Sequence, residues 1–224
     1  MEVIMTGSSL ISRLEKLRTF FSEERTRAYD FRKTQLQKLK KAILDHEQAL
    51  YQALRDDLKK SPEESWVTEL GMVVAELNAA VKNLKTWMSP ERVPTNLLNF
   101  PSASRILKEP LGVVLIIGPW NYPFQLLINP LVGAIAAGNC VVLKPSEFAP
   151  ATSAVMKKML ESAFPPEYIC YMEGEGQQVI PAMMQAFTFD HVFYTGSTAV
   201  GKLIYKIAAE KLTPVTLELG GKSP

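Results

Sequence analysis

The chain has 224 residues, of which 47% are hydrophobic and 21% charged; that is enough apolar material for a packed core and excludes a disordered or collagen-like chain. Lys plus Arg number 25 and Asp plus Glu 23, a formal charge of +2, which argues against a nucleic-acid binder with its basic stripe. The longest strongly apolar run, Leu111 to Ile117, falls far short of the ~20 residues that span a bilayer, no basic-then-apolar leader opens the chain, and two cysteines make neither a disulfide framework nor a metal cluster.

These features make a soluble, reducing, cytoplasmic setting the expectation. Residues 1–90 read as helices. Leu10, Leu14 and Leu17 share one face, with Phe20 and Phe21 after them, and Leu36, Leu39 and Ile43 resume the helical period. Ser61-Pro62-Glu63-Glu64 is a helix start: Ser61 as N-cap, Pro62 at the first helical position, Glu64 closing a capping box. Val67, Leu70, Val74, Leu77, Val81 and Leu84 then form the expected buried stripe. The charges between these positions read as a solvated helix face. Pro90, Pro94 and Pro101 mark a connector over 91–110, with an extended arm expected at Ser102 to Leu107.

Beyond Pro110 charges thin out and short apolar runs begin. Strands are expected at Gly112 to Ile117, Val141 to Leu143, Tyr168 to Met172, His191 to Thr195 and Val215 to Leu219. Helices are expected at Phe124 to Ala137 (Pro130 predicting a kink or a split, Gly138 the stop), at Pro150 to Ala163, at Ile180 to Ala186 with Pro181 in its first turn, and at Thr198 to Ala209. Strands alternating with helices argue for an α/β fold, a Rossmann-like doubly wound parallel sheet over 111–212 behind the N-terminal helical segment.

Ligands of such sheets sit at the carboxyl ends of the strands, so the residues just past each strand carry the chemistry. Gly196 to Lys202 fits G-x-x-x-x-G-K, but Leu203 stands where a P-loop needs Ser or Thr for magnesium, which disfavours a kinase. What survives is a Gly196-Ser197 turn opening a helix, where free N–H groups favour a phosphate; a plain strand–helix turn reads the same way. Glu147 past the second strand could accept from a ribose diol, and Lys144 could donate to that ribose or to a 2′-phosphate; a surface ion pair is the plainer alternative. The Asn121 amide could donate to a developing oxyanion, or simply satisfy a tight turn. Glu218, ending an apolar strand, could be a buried general base with a raised pKa, or cap the next loop.

Pro119 to Pro123, Lys144 to Glu147, Phe193 to Ser197 with Gly201-Lys202, and Leu217 to Pro224, taken in this order, resemble the aldehyde dehydrogenase superfamily. Gly133 to Asn139 and the short N-terminus are similar to its class 3 branch. The resemblance runs from about residue 10 to the end. It implies that Asn121 is the oxyanion-hole amide, that Trp120 lies beside the cofactor pyrophosphate, and that Lys144 and Glu147 hold the adenosine ribose. It further implies that Gly196 and Ser197 present the helix N-terminus to the pyrophosphate, that Glu218 activates water, and that Gly220 and Gly221 let the backbone pass the nicotinamide. The implied cofactor is NAD or NADP, the substrate a small aldehyde, the parent protein a homodimer.

In that family a cysteine some tens of residues past the Leu-Glu-Leu-Gly-Gly motif attacks the aldehyde. Cys140 and Cys170 sit at strand positions and read as structural. The expectation is therefore a cofactor-binding half, with 213–224 opening a truncated catalytic domain, inactive alone. The alternatives are a nucleotide-binding module that never had a nucleophile and a CoA-acylating relative; the gene beyond residue 224 separates the first of these, and Glu218 disfavours the second.

Overall fold

A computed structural model describes residues 7–221. The expectations for Lys222, Ser223 and Pro224 lie outside the described residues. Helices α1 (Gly7–Ser22), α2 (Tyr29–Asp45), α3 (Glu47–Leu58), α4 (Pro62–Ser65) and α5 (Gly71–Trp87) occupy the first part of the chain. A short antiparallel ribbon follows, β1 (Glu91–Val93) against β2 (Ser104–Ile106), so the expected arm is half of a two-stranded element. The rest alternates: β3 (Val113–Ile117), α6 (Gln125–Ala137), β4 (Cys140–Lys144), α7 (Pro150–Ala163), β5 (Ile169–Tyr171), α8 (Gly176–Ala186), β6 (His191–Gly196), α9 (Thr198–Glu210) and β7 (Val215–Leu219).

The five strands β3 to β7 form one parallel sheet in the order β5-β4-β3-β6-β7. β3 and β4 are buried at every position, which is why they read as unbroken apolar runs rather than alternating ones. Right-handed crossovers put α6 and α7 on one face, and α8 and α9 on the other. α2, α3 and α5 add a second helical layer outside α6 and α7, while α1 packs on β3, β4 and β5 beside α8. Leu14, Leu17, Leu36, Leu39 and Ile43, the apolar positions read from the helical period, lie in the same continuous core as the sheet residues. Among the described residues no helix is long and apolar enough to cross a membrane.

Three local expectations are corrected. The stripe over Val67 to Leu84 slips: Val67 is 68% exposed, and the buried positions are Leu70, Val73, Leu77, Ala80 and Leu84, with Val74 and Val81 at the flank. The cause is a π-helical turn at Trp66–Leu70, closed by the Gly71 N–H on the Trp66 carbonyl, whose extra residue moves the buried position one turn before Leu70 from Val67 to Ser65. Pro130 does not split α6, since the burial of Leu127, Ile128, Leu131, Val132 and Ile135 holds the helix together across the missing hydrogen bond. α8 starts at Gly176 rather than at Ile180, leaving Pro181 inside it, because the Glu147 carboxylate accepts the Gly176 N–H (2.9 Å) from another loop. Two other signals are as read: Ser61 is an N-cap, its Oγ accepting from the Glu64 N–H at 3.1 Å, and Gly138 stops α6 with a left-handed φ of 89°.

Candidate active-site cleft

Sheet growth reverses at β3: β4 and β5 are added on one side, β6 and β7 on the other. Loops leaving the two strands at such a switch point diverge and open a crevice beyond their carboxyl ends. A cleft of about 810 Å³ lies there, lined by Trp120 and Asn121 from the β3–α6 loop, Gly196 and Ser197 from the β6–α9 turn, and Glu218 and Gly220 at the end of β7.

The β6–α9 turn is built for close approach. Ser197 is the N-cap of α9, its Oγ accepting the Val200 N–H at 3.3 Å, and the Tyr194 hydroxyl beneath donates to the Ser197 carbonyl at 3.3 Å. A Cβ on Gly196 would meet the Tyr194 hydroxyl oxygen at 2.3 Å, so only glycine lets the ring tuck under the turn. The first amides of α9 have no partner inside the helix and sit at its positive end, on the rim of the cleft. Ser197, Thr198 and Ala199 are exposed there, and the Trp120 indole is 54% exposed. An open helix N-terminus, a glycine backbone and an exposed indole fit the pyrophosphate of a dinucleotide, and the volume is of the size that holds one.

Asn121 is exposed at the mouth of the cleft, and two residues of the helical segment hold its loop. Lys60 Nζ donates to the Asn121 carbonyl (3.1 Å) and to Glu69 Oε1 (2.6 Å), and sits 4.0 Å from the centre of the Tyr122 ring. Glu69 Oε2 accepts the N–H groups of Phe124 (3.1 Å) and Gln125 (2.9 Å), capping α6, whose own N-cap Phe124 has no side chain able to do so. Burial pushes the Glu69 carboxyl up, while the Lys60 ammonium and the two amides pull it back. Lys60 and Glu69 are 7% and 0% exposed, which corrects the reading of the charges in this segment as a solvated face. Sequence reasoning missed both, since a Lys and a Glu nine residues apart look like any surface charges until the loop folds over them. Glu76 and Asn129, from α5 and α6, also line the cleft and carried no sequence signal.

Glu218 reaches the cleft but is exposed, not buried as expected. β7 is an edge strand paired only with β6, so among the described residues nothing covers its outer side. Gly220 and Gly221 follow in open space, and Gly221 is not among the lining residues. Lys144 and Glu147 lie one strand over, past β4, and do not line the cleft either. Lys144 is no surface cation: at 1% exposure its Nζ donates to the Pro145 carbonyl (2.5 Å) and to Glu147 Oε2 (3.2 Å). Burial pushes the Lys144 pKa down, partly offset by Glu147. Burial also raises the Glu147 carboxyl, but the Gly176 amide, its own backbone amide and Lys144 outweigh it and hold the group below its ordinary range.

Neither cysteine is a nucleophile by environment. Both are buried; burial pushes the Cys140 thiol up to about 12 and raises that of Cys170 as well. No cluster of metal-ligating side chains occurs among the described residues.

Residues 14–224 match the sequence profile of the Aldehyde dehydrogenase family. The chain is 48% identical over 219 residues to aldehyde dehydrogenase family 3 member H1 of Arabidopsis thaliana, covering 97% of this chain and 45% of that protein. It is 46% identical over 207 residues to the 4,4'-diaponeurosporen-aldehyde dehydrogenase of Staphylococcus aureus, covering 92% and 45%. A substrate-bound structure of Staphylococcus aureus AldH superposes with a TM-score of 0.93 at 44% identity, over 100% of this chain and 47% of that one. The NAD+ complex of a betaine aldehyde dehydrogenase variant from the same organism superposes with a TM-score of 0.81 at 31% identity, over 97% and 43%. The chain thus spans somewhat under half the length of these relatives.

Proposed function

This chain belongs to the aldehyde dehydrogenase family, and from that premise we propose that it is the cofactor-binding half of an NAD(P)-dependent enzyme that oxidises an aldehyde to a carboxylic acid through a cysteine thioester. The attacking cysteine is carried by sequence beyond residue 224. One observation carries the reading: Asn121, Ser197 and Glu218, from three separate strand ends, meet at a single cleft. When bound, the cofactor supplies the electron acceptor.

The residues of this chain then have distinct tasks. The N-terminus of α9, with Gly196 and Ser197, takes the pyrophosphate, and Trp120 lies alongside. Asn121 donates its side-chain N–H to the oxygen that gains negative charge when the thiolate adds to the carbonyl. Glu218 takes a proton from the water that hydrolyses the thioester, and Gly220 and Gly221 let the chain pass the nicotinamide. That carboxylate at the cleft supports the hydrolytic branch over CoA acylation. Glu147 lies outside the cleft, so it receives the adenosine ribose diol only where the cofactor extends past the cleft over the end of β4, with Lys144 holding its carboxylate. Lys144 is buried, with its ammonium on Pro145 and Glu147, while the more exposed Glu147 carboxylate would repel a 2′-phosphate, which supports NAD over NADP. The family likeness supports a homodimer, and the composition a cytoplasmic setting, which sedimentation and cell fractionation test.

The polypeptide extended through its downstream half is expected to form NADH from a medium-chain or aromatic aldehyde. The 224-residue chain alone is expected to form none while still binding NAD weakly by calorimetry. Turnover by the short chain, or no binding even at millimolar cofactor, overturns the proposal.

A further inference from the structure

The cleft residue Asn121 does not hold its own position. The segment from Gly118 to Phe124 is an irregular crossing from β3 to α6, and two buried side chains from a distant part of the chain tie down its middle and its α6 end. Lys60 takes the Asn121 carbonyl, and Glu69 takes the Phe124 and Gln125 amides. The two tie each other as well. The further side-chain hydrogen bonds of this pair go to residues 121–125, the stretch that carries the amide.

The pair is a poor way to add stability. Taking both charges out of water is costly, and their attraction returns that cost only when the remaining donors and acceptors are all satisfied. Glu69 sits on the π-helical turn Trp66–Leu70, an irregularity that places its carboxylate under the loop while Leu70 stays in the core. An oxyanion donor must be held to within a fraction of an ångström, since ~1 Å of misplacement can lower a rate ~10²-fold.

We propose that the Lys60–Glu69 pair positions Asn121 for the reaction, touching neither substrate nor cofactor and acting only through the loop. This rests on the reading of Asn121 as the oxyanion donor. A buried pair that served folding alone would affect rate only through stability. The positioning role separates the two. Asn121→Ala in the extended polypeptide tests the underlying reading first: an unchanged kcat there removes the oxyanion role of Asn121 before either partner is touched.

With that role intact, Glu69→Gln and Lys60→Met in the extended polypeptide are expected to lower kcat by about 10- to 100-fold while KM for NAD stays within about twofold. Removing both charges, Lys60→Met with Glu69→Gln, is expected to restore the urea midpoint of unfolding but not the rate. In the Asn121→Ala background Glu69→Gln is expected to cause no further loss. In the 224-residue chain, Glu69→Gln is expected to speed amide exchange at Phe124 and Gln125 by at least about tenfold and leave β4 unchanged. Recovery of kcat together with stability in the double variant, additive losses with Asn121→Ala, or unchanged exchange at Phe124 and Gln125 each overturns the proposal.

Discussion

Gly196 shows how a single residue serves packing and site together. A Cβ there would lie 2.3 Å from the Tyr194 hydroxyl oxygen and 2.6 Å from the ring carbon that bears it, so Gly196→Ala must push out the ring that supports the turn. The expected loss is about 1–3 kcal/mol in urea unfolding, with weaker NAD binding by calorimetry because the N-terminus of α9 moves with the ring. His191 gives the residue scale a pH dependence. Its imidazole is half-buried, with Nε2 3.0 Å from Thr216 Oγ1, and burial pushes its pKa below the ordinary 6.5. The unfolded chain then takes up the proton more readily. The stability that neutral His191 contributes is full above pH 6.5 and is lost as pH falls through 6.5 towards the folded value. The urea midpoint of His191→Gln is expected to fall less on acidification through this window than that of the natural chain; parallel curves would refute it.

At the scale of the element, the π-helical turn is the instructive case. Periodicity alone puts Val67 in the core stripe, but it lies inside the π-helical turn, whose extra residue leaves it in water. Val67→Lys is accordingly expected to change stability by less than about 0.5 kcal/mol. Leu77→Ala, in the stripe that is buried, is expected to cost about 2–5 kcal/mol; denaturant titration of both variants checks the contrast. α8 teaches the same lesson from its other end. Its first turn exists because Glu147, from the loop after β4, accepts the Gly176 amide, and no local sequence signal announces a cap that arrives from elsewhere.

For the whole molecule, the helical segment and the sheet share one core, from Leu10 in α1 to Ala208 in α9. Arg18 of α1 bonds Asp190 and the Thr188 carbonyl ahead of β6, and Asp190 in turn accepts the Val113 amide at the start of β3. Removing that link with Arg18→Met is expected to lower stability by about 1–3 kcal/mol. The loss should appear as a shift of one cooperative transition, with far-UV and tryptophan signals moving together; a separate early melting of the helices would contradict a shared core. The pair is only part-buried, which keeps the expected cost below that of a fully enclosed one.

By itself the sequence determined the alternation of strands and helices, the caps at Ser61 and Gly138, and the places of Asn121, Gly196, Ser197 and Glu218 at or just past strand ends, because apolar period, turn chemistry and helix signals are local properties of a chain. Only the tertiary structure decided that Lys60 and Glu69 lie buried under the Asn121 loop, that Glu218 stands exposed on an edge strand, and that Lys144 and Glu147 bond each other one strand away from the cleft. A charge has no orientation in a sequence. Whether it faces water, a partner or a backbone amide is settled by what folds over it, and those partners lie tens of residues away.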